Sequence, residues 1–196
     1  MKKDNNKAGW GAERAGRLDN AERRAALPPE ETLLKLGLEK GMDFADIGCG
    51  VGYFTLPAAT IIGADAKAYA ADVSAEMLAI LADKAAAGGI PNIAAVLSGE
   101  YDMKIKSGAA AFALCCNVLH EIGDKERFVR EIARILAPGG TLAVIEWKMV
   151  RRDKGPGVAE RIPPVELKGL LAQGGFGGFE EKDINQDLYA VRAKKE

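Results

Sequence analysis

From Asp43 onward the chain alternates short apolar runs with helical patterns, and this constrains its fold more than any other feature. Such alternation marks β-α-β units, which build a mostly parallel sheet. Strands are expected at 43–47 (DFADI), 66–71 (AKAYAA), 92–97 (NIAAVL), 110–116 (AAFALCC) and 141–147 (TLAVIEW). Between them, Ser74 can cap a helix that Gly88 and Gly89 end, and Asp124 can cap another whose Phe128, Ile132, Ile135 and Leu136 share one face. Pro138-Gly139-Gly140 turns the chain into the fifth strand. A further helix opens at Pro163 and Pro164. The runs GFEEKDI and DLYAVRA, separated only by Asn185 and Gln186, are expected to pair antiparallel through a tight turn.

Residues 1–17 read as a polar, glycine-bearing arm carrying Trp10. A short helix from Asp19 to Ala26 is stopped by Pro28 and Pro29, and PPEETLLKLGL then forms an amphipathic helix. With 48% hydrophobic residues in 196, the chain has material for one sizeable core. Twenty-seven Lys and Arg against 28 Asp and Glu give a net charge of −1, which argues against nucleic-acid binding by bulk electrostatics. No apolar run reaches the length of a membrane span, and the first residues lack a secretory apolar core, so a cytoplasmic location is expected. Cys49, Cys115 and Cys116 fit a reducing compartment as small apolar fillers. Without Cys-x-x-Cys spacing and with His120 as the single histidine, no metal site is expected.

The stretch Asp46-Ile47-Gly48-Cys49-Gly50-Val51-Gly52-Tyr53-Phe54 runs from a strand through three alternate glycines into a helix. Glycine serves where backbone turns sharply or must approach a ligand closely. In an open α/β sheet, ligands sit at the carboxyl ends of strands where strand order reverses. The dinucleotide spacing G-x-G-x-x-G fails here, because it needs glycine at Tyr53 or at Thr55. Asp46 would repel a pyrophosphate but suits a cation, and S-adenosylmethionine carries a sulfonium and an ammonium without any phosphate. Electrostatics therefore favour that cofactor over NAD.

At these residues the chain resembles the class I S-adenosylmethionine-dependent methyltransferases, over roughly residues 28–193. The resemblance implies a Rossmann-like, mostly parallel seven-stranded sheet in three α-β-α layers, with a C-terminal antiparallel hairpin. Asp72, closing the second strand 20 positions after Gly52, matches the acid that takes the two ribose hydroxyls. Asn117 and His120, in CCNVLHEI, match the segment beside the methionine part of the cofactor. The resemblance also implies cofactor contacts from Asp46, Gly48, Cys49, Gly50, Gly52, Tyr53 and Val73. Met77 is either a core residue or a flank of the adenine. Where the family often has Gly-Asp after the third strand, this chain has Ser98-Gly99-Glu100, so Glu100 or backbone groups meet the adenine. Ala111 stands where an Asp commonly opens the fourth strand.

His120 has an unperturbed pKa suited to general base work, with pocket shaping as its alternative. Glu146, at the end of the fifth strand, would accept a proton or hold a substrate cation, or else pair with a basic residue. The run Lys148, Arg151, Arg152 and Lys154 either holds an anionic substrate or RNA or is a solvated loop, and Asp153 within it and the lack of interleaved aromatics beyond Trp147 favour the loop. The expected activity is methyl transfer from S-adenosylmethionine to a nucleophilic acceptor, a small molecule, with S-adenosylhomocysteine as product, by a monomer or homodimer. The alternatives are a cofactor-binding sensor without catalysis and an RNA or protein methyltransferase. Residues 1–27 are expected to form an arm and partial lid, with Trp10, Arg14 and Arg17 covering the open sheet edge, and residues 28–196 the cofactor-binding domain.

Overall fold

The computed structural model describes residue 16, residues 18–151 and residues 155–196. Trp10, Arg14 and Arg17 of the arm, and Arg152, Asp153 and Lys154 of the basic loop, lie outside the described residues.

Seven strands form one sheet in the order β3-β2-β1-β4-β5-β7-β6. They are β1 (Phe44–Ile47), β2 (Ala68–Asp72), β3 (Ile93–Leu97), β4 (Ala110–Cys116), β5 (Leu136–Trp147), β6 (Phe176–Asp183) and β7 (Leu188–Lys195). The first five pair in parallel, while β7 runs antiparallel to both β5 and β6. Every residue of β1 is buried, as a strand covered on both faces must be. Strand order reverses between β1 and β4, so the loops leaving their carboxyl ends part and open a crevice.

The helices are α1 (Ala21–Ala26), α2 (Pro29–Lys35), α3 (Thr55–Ile62), α4 (Ala75–Ala87), α5 (Lys125–Ile135) and α6 (Pro164–Gln173). Local chemistry sets their starts. Ser74 accepts from the Met77 amide at 3.3 Å and Asp124 from the Arg127 amide at 3.0 Å, satisfying amides that helix geometry leaves free. The expected apolar face of α5 is buried: Phe128, Ile132 and Ile135 pack with Leu167 and Leu171 of α6 beneath one sheet face, together with Leu136, which opens β5 instead of ending the helix. Leu33, Leu36 and Leu38 join Phe54, Ala58 and Ile62 on the other face. No helix among the described residues is long and apolar enough to cross a membrane.

The C-terminal pair is antiparallel as expected, but its connection runs over Ile184 to Asp187, and the last strand inserts between β5 and β6. Asn185 explains the wider turn. Its Oδ1 accepts from the amides of both Asp187 and Leu188 at 2.9 Å, an Asx turn in place of a two-residue hairpin.

Candidate active site

The crevice at the strand reversal is a cavity of about 900 Å³. Its floor is the glycine loop between β1 and α3. Gly48 has φ +73°, and a Cβ there would collide with Val118; Gly52 is packed against Leu81 in the same way. Gly50 differs: a Cβ would meet only Leu18, at 3.4 Å, on the cavity side. Two of the three glycines thus let the loop pack on the protein, and the middle one faces the open space.

Two carboxylates stand at this floor. Asp72, ending β2, accepts from the Gly50 amide at 2.8 Å through one oxygen and from the Ser74 amide at 2.9 Å through the other. Each oxygen keeps further lone pairs for a ligand. Asp46 is buried and accepts from the Thr55 hydroxyl at 2.6 Å. Loss of water pushes its pKa up to about 7, with the charge of Asp72 adding and the Thr55 bond opposing. Cys49 is buried beside both, and desolvation first, then Asp46 and Asp72, hold its thiol well above its ordinary value. It is a filler, not a thiolate.

Val73, Met77, Ser98, Gly99 and Glu100 line one end of the cavity. Val73 is exposed and Met77 is buried, with its side chain in the wall. Glu100 also lines this wall and is hydrogen-bonded to the Tyr101 hydroxyl. Asn117 follows β4 with φ +56°, in the left-handed region that asparagine tolerates. Its backbone amide donates to the Ile145 carbonyl at 2.9 Å, while its buried Oδ1 has no hydrogen-bond partner among the described residues.

Past Asn117, the 3-10 turn Leu119–Glu121 carries His120 over the sheet edge. His120 Nδ1 lies 2.8 Å from Glu146 Oε2, and its own amide donates to Glu146 Oε1 at 3.2 Å. Glu146 is fully buried behind it and does not line the cavity. Burial works to lower the imidazole pKa, but the hydrogen bond and charge of Glu146, with Glu121 and Glu160 adding, carry it above its ordinary value. With Nδ1 on Glu146, the other ring nitrogen lies 4.0 Å from Glu121 Oε1, beyond hydrogen-bond distance, on the lining of the cavity.

The far wall comes from segments that carry no motif. Arg23 of α1 lies 4.2 Å over the Tyr53 ring, and the Tyr53 hydroxyl donates to the Leu27 carbonyl at 2.5 Å. The Asn185 side-chain amide donates to the Ala26 carbonyl at 2.7 Å. Leu27, Arg23, Asn185, Leu188, Trp147 and Pro156 all line the cavity. An asparagine two residues before an aspartate in the hairpin turn was the available signal for Asn185; Arg23 had none.

The site residues expected from the sequence therefore converge on one cavity, with two qualifications of place. Gly52 packs beneath the loop against Leu81, and Glu146 stands behind His120.

A parallel sheet with one antiparallel strand inserted beside β5, and a crevice at its reversal floored by Asp46 and Asp72, have the form of a class I S-adenosylmethionine-dependent methyltransferase. Residues 45–144, about half of the chain, match the methyltransferase domain family, and the chain belongs to it. It is 30% identical over 119 residues to ajmaline N-methyltransferase of Rauvolfia serpentina, covering 60% of this chain and 40% of that protein. It is 22% identical over 117 residues to demethylmenaquinone methyltransferase of Geobacillus stearothermophilus, covering 60% of this chain and 50% of the other. The chain thus spans half or less of the length of these relatives. The crystal structure of an S-adenosylmethionine-dependent methyltransferase from Aquifex aeolicus superposes with a TM-score of 0.87 at 27% identity, covering 93% of this chain and 97% of that one.

Proposed function

We propose that this chain transfers the methyl group of S-adenosylmethionine to a nucleophilic atom of a small molecule. One observation carries the reading: two carboxylates and an unpartnered, buried asparagine oxygen converge on the same cavity as a histidine backed by a buried glutamate. The cavity residues fit the cofactor. Asn117 Oδ1 needs a donor such as an ammonium, Asp46 and Asp72 favour positive charge, and about 900 Å³ is within the range of small-molecule sites.

In this reading Asp46, Gly48, Cys49, Gly50, Gly52, Tyr53 and Asn117 shape the methionine side. Asp72 accepts the ribose hydroxyls, and Val73, Met77 and Glu100 enclose the adenine. The bound cofactor supplies an activated methyl group on a sulfonium. His120 receives the acceptor's proton at Nε2, and Glu146 holds the ring in that tautomer and balances the imidazolium that forms. The walls orient the acceptor for in-line approach, which supplies much of the rate. Of the arm, the described residues 18–27 act as a partial lid on residues 28–196. The free cysteines support a cytoplasmic setting.

The relatives named for ajmaline and for demethylmenaquinone support a small acceptor. The test is twofold. At a concentration 100 times its Kd, S-adenosylhomocysteine should stabilise the protein by about 2.7 kcal/mol, and NAD should not. A thermal shift with NAD alone overturns the reading. A screen of small-molecule acceptors with methyl-labelled cofactor should then give product; binding without turnover across it would make the protein a sensor.

A further inference from the structure

Between β5 and α6, described residues on both sides of the loop meet at the guanidinium of Arg161. Arg161 is buried; its Nε donates to the Pro156 carbonyl at 3.0 Å, and its Nη1 donates to the carbonyls of Lys148 at 2.8 Å and Val150 at 2.6 Å. The guanidinium lies 5.5 Å from the centre of the Trp147 ring. One cation thus gathers both arms of the loop beside the indole. Gly155 closes the arrangement: with φ +81°, its backbone lies so near that a Cβ would stand 2.7 Å from a ring atom of Trp147.

This spends the charge. A buried cation is costly unless its donors are satisfied, and Arg161 places Nε and Nη1 on three main-chain oxygens. Lys148 Nζ is spent likewise, on Asp183 and on the Asn185 carbonyl, each at 2.5 Å. What this loop turns to the cavity is Trp147, Gly155 and Pro156, with Leu188 and Leu27 beside them; Arg23, Asn185 and Asp187 line the neighbouring wall, and Arg23 is itself engaged, with the Leu18 carbonyl at 2.6 Å and the Tyr53 ring at 4.2 Å. Among the described residues, the loop's engaged cations lie behind an apolar wall. A planar fork with five donors makes such a clamp; lysine, with one ammonium, reproduces it in part.

We propose that Arg161 is a positioning residue for the methyl acceptor, and that the wall it sets takes a neutral, apolar ring or chain and not an anionic group. The proposal rests on the methyltransferase reading for what the wall is used for, and on the loop geometry for the wall itself.

The test compares wild type, Arg161→Gln and Arg161→Lys in saturating S-adenosylhomocysteine, with indole and phenyl phosphate as probes of the acceptor half. Saturation-transfer NMR should show indole binding in the wild type and less transfer to phenyl phosphate. The indole signal should fall at least about threefold in Arg161→Gln and recover in part in Arg161→Lys, as loss of hydrogen bonds to a charged group requires. Affinity for S-adenosylhomocysteine should stay within about twofold, because the floor carboxylates are independent of the loop. With an acceptor in hand, its KM should rise while kcat changes less.

Equal losses of indole and cofactor binding would reduce Arg161 to a fold residue and overturn the proposal. So would unchanged indole binding in Arg161→Gln, stronger phenyl phosphate binding, or no binding of either probe. If Arg161→Gln does not fold, Arg161→Lys in a Trp10→Phe background decides: acrylamide should quench Trp147 faster than in the matched parent, and equal quenching overturns the clamp. That measurement needs no cofactor. Absence of S-adenosylhomocysteine binding to the wild type would therefore sink the methyltransferase reading and leave the clamp to be judged separately.

Discussion

The two halves of the cavity are held by opposite hydrogen-bond logic. At the cofactor floor, a carboxylate accepts from main-chain amides: Asp72 takes the N–H groups of Gly50 and Ser74. At the far wall, side-chain donors hold main-chain carbonyls: Tyr53 on Leu27, Asn185 on Ala26, and Arg161 on Lys148, Val150 and Pro156. The floor comes from neighbouring strand ends, while the Asn185 contact joins residues 159 positions apart. A floor fixed by backbone conformation tolerates little change. A wall fixed by single side chains can be retuned by one substitution, which suits a part that must differ with the acceptor.

The largest expected effect breaks the floor. Gly50→Val should abolish S-adenosylhomocysteine binding, measured by calorimetry, and leave a folded protein, because strain at a left-handed residue costs about 1–2 kcal/mol. Gly52→Val should instead lose folding, since its side chain runs into Leu81. Retained affinity in Gly50→Val would make the loop only a turn.

Next comes His120, the proposed proton acceptor between the two halves. His120→Asn should lower turnover by about 100-fold with cofactor affinity little changed. Because Glu146 and its neighbours hold the imidazole above its ordinary value, wild-type turnover should fall as pH drops through that raised value. Glu146→Gln removes the largest favourable contribution and should move the acid limb to lower pH. The linked stability has the opposite sense: it is fully present below the unfolded value and lost as pH rises through the folded one. An acid limb that ignores Glu146→Gln would retire the pair.

Asp72→Ala should weaken S-adenosylhomocysteine by about 1.5–3 kcal/mol, the range for hydrogen bonds to a charged group, without changing acceptor choice. Asp72→Asn should fall between, since it keeps one oxygen. Wild-type affinity in both would move the ribose contact elsewhere.

Asp46 gives a smaller and signed effect. Its carboxyl titrates near 7 in the folded chain against an ordinary value of 3.8, so the folded state binds the proton more tightly. Stability from this group therefore declines as pH rises between those values and stays low above them. Asp46→Asn should raise the Tm of the ligand-free protein above neutrality and give no gain in acid. An equal gain at both ends would assign the effect to packing instead.

The same contrast explains what the sequence disclosed. The floor is written contiguously, in Asp46 to Tyr53 and Asp72 to Met77, so spacing and charge were enough to read it. The caps at Ser74 and Asp124 and the apolar face of α5 were legible for the same reason: each is a short-range pattern. The wall has no such text. Glu146 is paired with His120 across 26 positions, and only the register of β4 and β5 brings them together. The insertion of β7 beside β5 depends on sheet pairing, not on the hairpin's own residues. Arg161 reads as one more surface charge until the loop is folded round it.

The smallest expected effect concerns the element that joins the halves. Asp19, just before α1, accepts from Arg24 Nε at 2.7 Å and from Lys84 Nζ of α4 at 2.7 Å. The α1 segment is thereby tied to the cofactor side through Lys84, to the glycine loop through Tyr53, and to the hairpin through Asn185. Burial alone would raise the Asp19 pKa, but its bonds to Arg24 and Lys84 outweigh that and hold it low. The tie is thus present above the ordinary carboxylate value and lost as pH falls through the lowered one. Lys84 is partly exposed, so Lys84→Ala should cost only about 0.2–1 kcal/mol, less in high salt. Its kinetic effect should be plainer. Trypsin cleavage after Arg23 and Arg24 requires α1 to open locally, so it should quicken in Lys84→Ala and slow in both proteins when S-adenosylhomocysteine is bound. If the cofactor protects these sites and Lys84→Ala does not quicken the cut, the strap is held from the hairpin side by Asn185. Identical rates under all conditions would mean that α1 covers the cavity without responding to what fills it.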